Sequence, residues 1–570
     1  MARYAAGMTA GQSTVWRDRG VAVAIAALLT AAWCAMHWPA LSALHLPDTD
    51  DVVRLQQIRD WLGGQAFRDL AQHRLGLGGL EMHWSRLPDL VPAAIIALLT
   101  PLTGAHAAEI AAVIVWPALL FAAALTLTGA IARALGTSAP TAIVVAALAY
   151  PASALFLPGR IDHHGLQLVL LLVLLAALLG QGTWGKGIAA GLASAASLVI
   201  GMEMAPLLVA GGAVLAARWV EDGARARLAG YGLALTVGLA AAALLLGTSG
   251  WDYPACDGFA TPLWRAAQIG ALAPLLLALL TPWLPEMRGR IAAAGLIGAG
   301  AVAAALAASP SCLRPYGGVD PVLARIWLAN VAEAQPLLVA PFAHAIGYAG
   351  LLVVGLGATC LMWRQSRGRE WLIVGMLQLV SLLIAFAQLR GAYAGAMLAA
   401  PALAGLIAAA RARGTLALAA AWILSAGLLY PIAGAALSHA PEAGRGTGCD
   451  AGAALAVLAR QPRGTVAMPI DLGAYALAAT PHDVLAAPYH RNGAGNRALY
   501  RMLLMAPDAA HREAARLGVD YLVDCPGAYG ELGTPPAGSL FAALRGGRRP
   551  AWLRPVPGGN DGARIYAVVP

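Results

Sequence analysis

Three carboxylates stand within four residues at Asp48, Asp50 and Asp51, in the stretch PDTDDVVRLQQIRD. Like charges that close raise one another's pKa unless a cation neutralises them, and hard oxygen ligands suit Mg²⁺ or Mn²⁺. The same residues also read as a solvated N-cap for a helix through 55–62, favoured by its dipole. A second cluster, Arg160, Asp162, His163 and His164 in LPGRIDHHGLQ, brings a carboxylate and an imidazole that can join the same metal or cap the helix that follows. Glu333 lies among apolar residues in NVAEAQP, downstream of Arg314 and Arg325, which can meet an anion or snorkel. Arg390, in QLRGAYAGAML, sits apart from every other arginine cluster, and Glu203 falls between two apolar runs. An ionisable residue in such a place is a functional candidate by default. His83, in the same loop as the first carboxylates, joins Glu203 as a further candidate for the lining of the pocket.

The elements that must position these residues are membrane helices. Of 570 residues, 59% are hydrophobic and only 12% charged, and the mean hydropathy is +0.68. Apolar runs long enough to cross a bilayer recur from residue 21 to residue 430. The expected crossings are 21–38, 107–131, 141–157, 166–179, 187–200, 204–217 and 228–247, then 266–284, 291–308, 342–363, 371–389, 391–410 and 415–430. The run 90–102 is too short to cross and reads as an interfacial or re-entrant helix, leaving thirteen crossings. With that parity Arg17, Arg19, Arg133, Lys186, Arg218, Arg288, Arg364 and Arg411 share one side, as the positive-inside rule requires. The net charge of +9 is therefore distributed for membrane orientation, and no nucleic-acid partner is expected. No cleavable signal is expected either, because the run from 21 reads as a first anchor.

This topology places residues 1–19 in the cytoplasm and a membrane domain at 20–437. Loops 45–89, 158–165 and 309–341 are external, and so is a 438–570 tail with strand-like runs at 465–468, 521–523 and 565–569 around a helical stretch at 509–517. The fold class expected is an all-α polytopic membrane domain followed by a small external α/β domain. Asp48–Asp51, Asp162, Glu333 and Arg390 then fall on one face of the membrane. Cys256, Cys312, Cys449 and Cys525 fall on the same face, where disulfides form, and the natural pairings are 256–312 and 449–525.

On these residues the chain resembles the GT-C glycosyltransferases, specifically the catalytic subunit of oligosaccharyltransferase. DTDDVVRLQQIRD is similar to that family's first-loop catalytic aspartate and amphipathic helix, with Asp48 and Asp50 both eligible for the role. GRIDHHG is similar to the pattern G-x-x-D-x-x-G at Asp162, with His164 where some members have a second acid. NVAEAQP is similar to the S-V-x-E-x-Q-P glutamate loop at Glu333, and Arg390 matches an arginine near the donor diphosphate. The family's W-W-D-Y-G acceptor motif is missing from the tail, and the WDY at 251–253 lies between spans.

The resemblance implies a membrane enzyme that transfers a sugar or glycan from a polyprenyl-(di)phosphate donor to an extracytoplasmic glycan, lipid or protein acceptor, in a bacterial-type inner membrane. Asp50, Asp162 and Glu333 are its expected catalytic acids. Asp48, Asp50, Asp51, Asp162, His164 and Glu333 are the expected ligands of Mg²⁺ or Mn²⁺. Arg390, Arg160 and Arg314 are expected to bind the donor phosphate, and His490 and Arg491 of the tail to bind the acceptor. The alternative is a transporter or flippase for an anionic lipid-linked glycan, with Glu203 and Arg390 along the path.

Overall fold

The loops that carry the acids are held at one end of a helical bundle. The computed structural model describes residues 2–314, 319–438, 449, 451–525, 527–558 and 562–569. Among them, eight helices are long and apolar enough to cross a membrane, or nine if Thr415–Ser425 and Leu429–Leu437, bent by 85°, form one span. The chain is a multi-pass membrane protein. Besides the bent pair at 415–430, four of the thirteen expected crossings differ from a simple span. The run 141–157 breaks into the helix Ala139–Ala147 and the turn Ala152–Phe156. His164–Leu178 and Trp184–Ile200 have 15 and 17 residues, and Ala205–Asp222 has 18. At 1.5 Å per residue, fifteen residues reach about 22 Å, short of the roughly 30 Å of hydrocarbon. Such a helix can stay short where neighbouring helices shield its ends, and His164–Leu178 is buried along most of its length.

The bundle has two chemically distinct ends. At one, Arg133 pairs with Asp18 (2.8 Å), Arg218 with Glu370 (2.7 Å) and Arg369 with Glu221 (2.6 Å), while Lys186 caps the carbonyl of Leu179. The same helices carry residues of the acid-bearing loops at their other ends. Ala105–Ala134 has Arg133 at one end and Glu109, paired with Arg59 of the first loop (2.7 Å), at the other. Thirty helical residues separate such ends by about 45 Å. Trp184–Ile200 likewise runs from Lys186 toward Glu203, and Arg369–Ala387 toward Arg390.

Helix crossings in the bundle are close because glycines face neighbouring backbones. A Cβ on Gly187 would lie 2.2 Å from the Arg227 carbonyl oxygen, and one on Gly191 would lie 2.5 Å from that of Tyr231. This is small-xxx-small packing, in which backbones approach where no side chain intervenes.

Over the end that carries the acidic loops lies a five-stranded sheet. Across it run Asp483–Val484, Thr465–Ala467, Val519–Asp524, Arg564–Val568 and Leu553–Pro555; the first two pairings are parallel and the last two antiparallel. The helices Ala451–Leu458, Ile470–Ala479, Gly493–Leu504, Pro507–Leu517 and Leu540–Arg545 connect or cover these strands. The first loop is part of this layer. Leu75 bridges to Val484 in parallel, Arg74 donates to the carbonyls of Leu477 (2.7 Å), Thr480 (2.9 Å) and His482 (3.2 Å), and Val53, Leu75, Met82 and Trp84 share the tail's core. Both expected disulfides are present, Cys256–Cys312 between two loops and Cys449–Cys525 within the tail.

Candidate active site

The helix Thr49–Leu62 delivers the first acids. Asp48 caps it, accepting from the backbone N–H of Asp50 (3.1 Å). Arg54, one turn on, is buried against Asp89 and the Trp84 ring, so the helix is pinned to the far end of its own loop. The capping and the site readings of Asp48 both hold, because its other oxygen accepts from Arg160 Nη1 (2.7 Å).

Arg160 is the hub of the second cluster. It reaches Asp48, Asp51 (3.4 Å) and Asp162 with one guanidinium whose side chain is 13% exposed. Its position depends on Gly159, where φ is +93° and a Cβ would stand 2.8 Å from Pro47; a side chain is excluded on both counts. Gly165 closes the motif, since a Cβ there would meet the Leu155 carbonyl oxygen at 3.1 Å. Asp51 is fully buried and accepts from the backbone N–H groups of Ile161 and Asp162 (2.7 Å each), which stitches the two acidic loops together. Burial opposes the Asp162 charge, but Arg160 and His164 outweigh it and hold the carboxyl well below the usual range.

A cavity of about 670 Å³ opens where these loops meet. Asp48, Asp50, Arg160, Asp162 and His164 line it, and so do Glu333 and Arg390, from nearly 340 residues of sequence. His83, Glu203 and His490 complete the expected lining. Asp50 faces the space, and among the described residues it forms no ion pair of its own. Burial, and then the charges of Asp48, Asp162 and Glu333, push its carboxyl up to about 8, with His164 opposing. Glu333 is held below its usual range: burial works against that, and Arg390 (3.5 Å), His164 and the Tyr393 hydroxyl, which donates at 2.9 Å, outweigh it. The loop and the arginine are set together by backbone bonds, Leu389 N–H to Gln335 C=O (2.9 Å) and Leu337 N–H to Ala385 C=O (3.0 Å).

The same architecture exists in solved structures. Archaeal oligosaccharyltransferase AglB from Archaeoglobus fulgidus, in complex with an inhibitory peptide and a dolichol-phosphate, superposes with a TM-score of 0.59 at 14% identity, over 84% of this chain and 66% of that one. The chain has the oligosaccharyltransferase fold. The Archaeoglobus fulgidus oligosaccharyltransferase tethered with an acceptor peptide containing the NVT sequon gives 0.60 at 14% identity, over 92% of this chain and 71% of that one. Its complex with Zn and sulfate gives 0.55 at 14% identity, over 92% and 70%. The chain thus spans about two thirds of the length of AglB in the first of these structures. No protein-family model matches the chain, and no curated protein matches it.

Within this fold three expected residues sit elsewhere than their roles require. Arg314 is exposed at the end of the turn Pro310–Leu313 and does not line the cavity, because the Cys312 disulfide directs that turn toward the loop of Cys256. Asp51 is sealed beneath the cavity by its two backbone donors. Arg491 points to the far side of the wall, bidentate on Asp257 (2.6 and 2.8 Å) and stacked 3.8 Å above the Tyr253 ring. The WDY segment set aside in the sequence is thus part of how the tail docks. Sequence reasoning missed Tyr393 and Asp257. Tyr393 was accessible, because three residues after Arg390 it falls on the same helical face. Nothing local marks Asp257 except its neighbour Cys256.

The donor set fits a hard divalent cation in its chemistry. Asp50 is crowded by carboxylates, and His164 Nε2 is buried with no hydrogen-bond partner among the described residues. Among those residues no three His, Cys, Asp or Glu side chains already converge as ligands, and Arg160 supplies the charge that Asp48 and Asp51 need.

Proposed function

We propose that the chain is an integral-membrane glycosyltransferase of the GT-C type, moving a sugar or glycan from a polyprenyl-(di)phosphate donor to an extracytoplasmic glycan, lipid or protein acceptor. The observation that carries this reading is the meeting of Asp50, Asp162, Glu333 and Arg390 in one cavity on an oligosaccharyltransferase fold. Similar folds are solved with dolichol-phosphate and with an acceptor peptide, which supports a lipid-linked donor here. The arginine-rich end of the bundle then lies in the cytoplasm with the N-terminus, and the tail lies outside a bacterial-type inner membrane. The two disulfides support that side for the tail.

Asp50, Asp162 and Glu333 are the catalytic acids in this reading. Arg390 is the residue for the donor phosphate, with Arg160 behind it, because a fixed guanidinium stabilises charge developing on a leaving group. Asp50, Asp162, His164 and Glu333 would hold Mg²⁺ or Mn²⁺, which when bound supplies Lewis-acid charge for acceptor and leaving group. His490 lies on the acceptor side, and Arg491 fixes it through Asp257. The transporter alternative is weaker because Glu203 and Arg390 share a cavity at one end of the bundle, and midplane sites of repeated half-helices are what transporters use.

The test is mass spectrometry of surface glycans and glycolipids in a strain lacking the chain, re-supplied with wild type or with D50A/E333A. Wild type should restore the missing glycan, and the double variant, normally inserted, should not. Full restoration by the double variant would remove the acids from the chemistry. A divalent-ion chelator should abolish transfer, and Mn²⁺ bound to the purified protein, read by electron paramagnetic resonance, should be lost in E333Q.

A further inference from the structure

Tyr393 touches both of the later acid-bearing loops from a rigid element. It is the second residue of the helix Ala392–Arg411, three residues after Arg390, and that helix is buried along most of its length. Close approaches seat the start of the helix. A Cβ on Gly391 would lie 2.6 Å from the Ala385 backbone nitrogen, and one on Gly395 would lie 2.4 Å from Leu352 Cδ1, while the Ser381 hydroxyl donates to the Gly391 carbonyl. The Tyr393 ring is buried, edge-on to His164 (6.0 Å between centroids, 72° between planes) and 5.9 Å from the Tyr348 ring. Its hydroxyl donates to Glu333 Oε2 (2.9 Å).

Glu333 is mounted differently. It sits in the three-residue turn Ala332–Ala334, after the short helix Pro321–Ile326 and the turn Leu328–Asn330. A segment of this kind leaves the end torsions of a glutamate to be set by its partners. Beside a guanidinium, a carboxylate is most readily drawn into a bidentate pair, both oxygens on one arginine. Here the two oxygens are divided. Arg390 Nη2 stands 3.5 Å from Oε1, and Oε2 accepts from Tyr393. An ionised carboxylate can only accept, so the proton of the second bond is the phenol's.

From this division we infer that Tyr393 is a positioning residue, whose hydroxyl sets the orientation of Glu333 for the site's cation and keeps the carboxylate from folding onto Arg390 as a bidentate pair. The inference rests on the glycosyltransferase reading, in which Glu333 would hold Mg²⁺ or Mn²⁺ and Arg390 meets the donor phosphate, and it adds the residue that aims the acid. The hydrogen-bond partner of a metal-binding carboxylate is worth about 10–100-fold in metal affinity.

Tyr393→Phe keeps the ring against His164 and Tyr348 and removes only the hydroxyl. The purified full chain in nanodiscs is titrated with Mn²⁺, read by electron paramagnetic resonance, and separately, with divalent ions removed, with geranylgeranyl phosphate. In Y393F the Mn²⁺ Kd should rise about tenfold or more, with an unchanged thermal transition. Its affinity for the lipid phosphate should fall at least about threefold, because Glu333 then pairs with Arg390. Adding Y393F to E333Q should cost no further phosphate affinity, since the amide cannot form that pair; a merely structural Tyr393 would cost the same in both backgrounds. Equal losses in the two backgrounds, a lowered thermal transition, or wild-type affinities in Y393F would overturn the inference and leave the glycosyltransferase reading standing. A folded wild type that binds neither Mn²⁺ nor the lipid phosphate would overturn both.

Discussion

Asp50 and Asp162 are the same residue type in one cavity, with opposite electrostatic settings. Asp162 has Arg160 and His164 beside it, whereas Asp50 has burial and three carboxylates, which push it up to about 8. Pairs pushed apart in this way mark sites where one acid is poised to bind or release a proton or cation. Neutral replacement of the acids should therefore cost rate more than folding: D50N and E333Q are each expected to lower kcat by about 10²-fold or more, a few kcal/mol of transition-state stabilisation, with the protein still inserted. Removing Arg160 should do the reverse of a clean active-site change. Arg160→Met leaves Asp48, Asp51 and Asp162 without their cation, and breaking a buried pair costs about 3–5 kcal/mol. Its thermal transition in detergent should fall markedly; an unchanged transition would mean the three acids find another counter-charge. The acids were legible in the sequence because carboxylates are rare in a chain this apolar. His490 and Arg491 were legible as a polar cluster but not as two faces of one wall, since that depends on Asp257, more than 230 residues away.

At the scale of elements, periodicity and turn chemistry gave the tail well. Runs expected at 465–468, 521–523 and 565–569 are the strands Thr465–Ala467, Val519–Asp524 and Arg564–Val568. The edge strand is short, Asp483–Val484, and three residues on Ala487 N–H turns to the Asn496 side chain (3.1 Å). Short membrane helices were the weak point, since apolar length cannot reveal that neighbours shield a helix end. Two element-level outcomes follow from packing. Gly191→Leu should separate Trp184–Ile200 from Arg225–Leu246 and lower the unfolding temperature, whereas Gly298→Leu, where a Cβ meets nothing within 4 Å, should not. The helix Leu90–Thr103, of 14 residues, ends at Gly104 with φ +83° before the long helix Ala105–Ala134. A single cysteine placed at Gly104 should label from the same side as one at Asp60; labelling from the opposite side would invert the placement of Asp162 and Glu333.

At the scale of the whole molecule, one end gathers arginines and the other gathers acids, histidines and disulfides over a domain built from the first loop and the tail together. Asp257 is a principal tie between that domain and the bundle. Its folded-state pKa is depressed, so its contribution is present above the ordinary carboxylate range and is lost as pH falls through the depressed value. Acidification below about pH 4 should therefore lower the melting temperature of wild type more steeply than that of D257N. Equal slopes would show that docking does not depend on this carboxylate. That the chain is a multi-pass helical bundle could be read from its apolar runs, while the shared core of loop and tail could not, because Leu75 and Val484 become neighbours only in the folded sheet.

The central claim is that the cavity transfers sugar from a lipid-linked donor using Asp50 and Glu333. Its most direct test is a transfer assay with the purified full chain in nanodiscs, a polyprenyl-phosphate-linked sugar pool extracted from its own membranes, and soluble envelope material as acceptor, with mass spectrometry of donor and product. The account predicts donor loss matched by glycosylated product for wild type, and neither for D50N or E333Q. Transfer at wild-type rates in both variants, or no donor consumption by a folded wild-type protein, would contradict it.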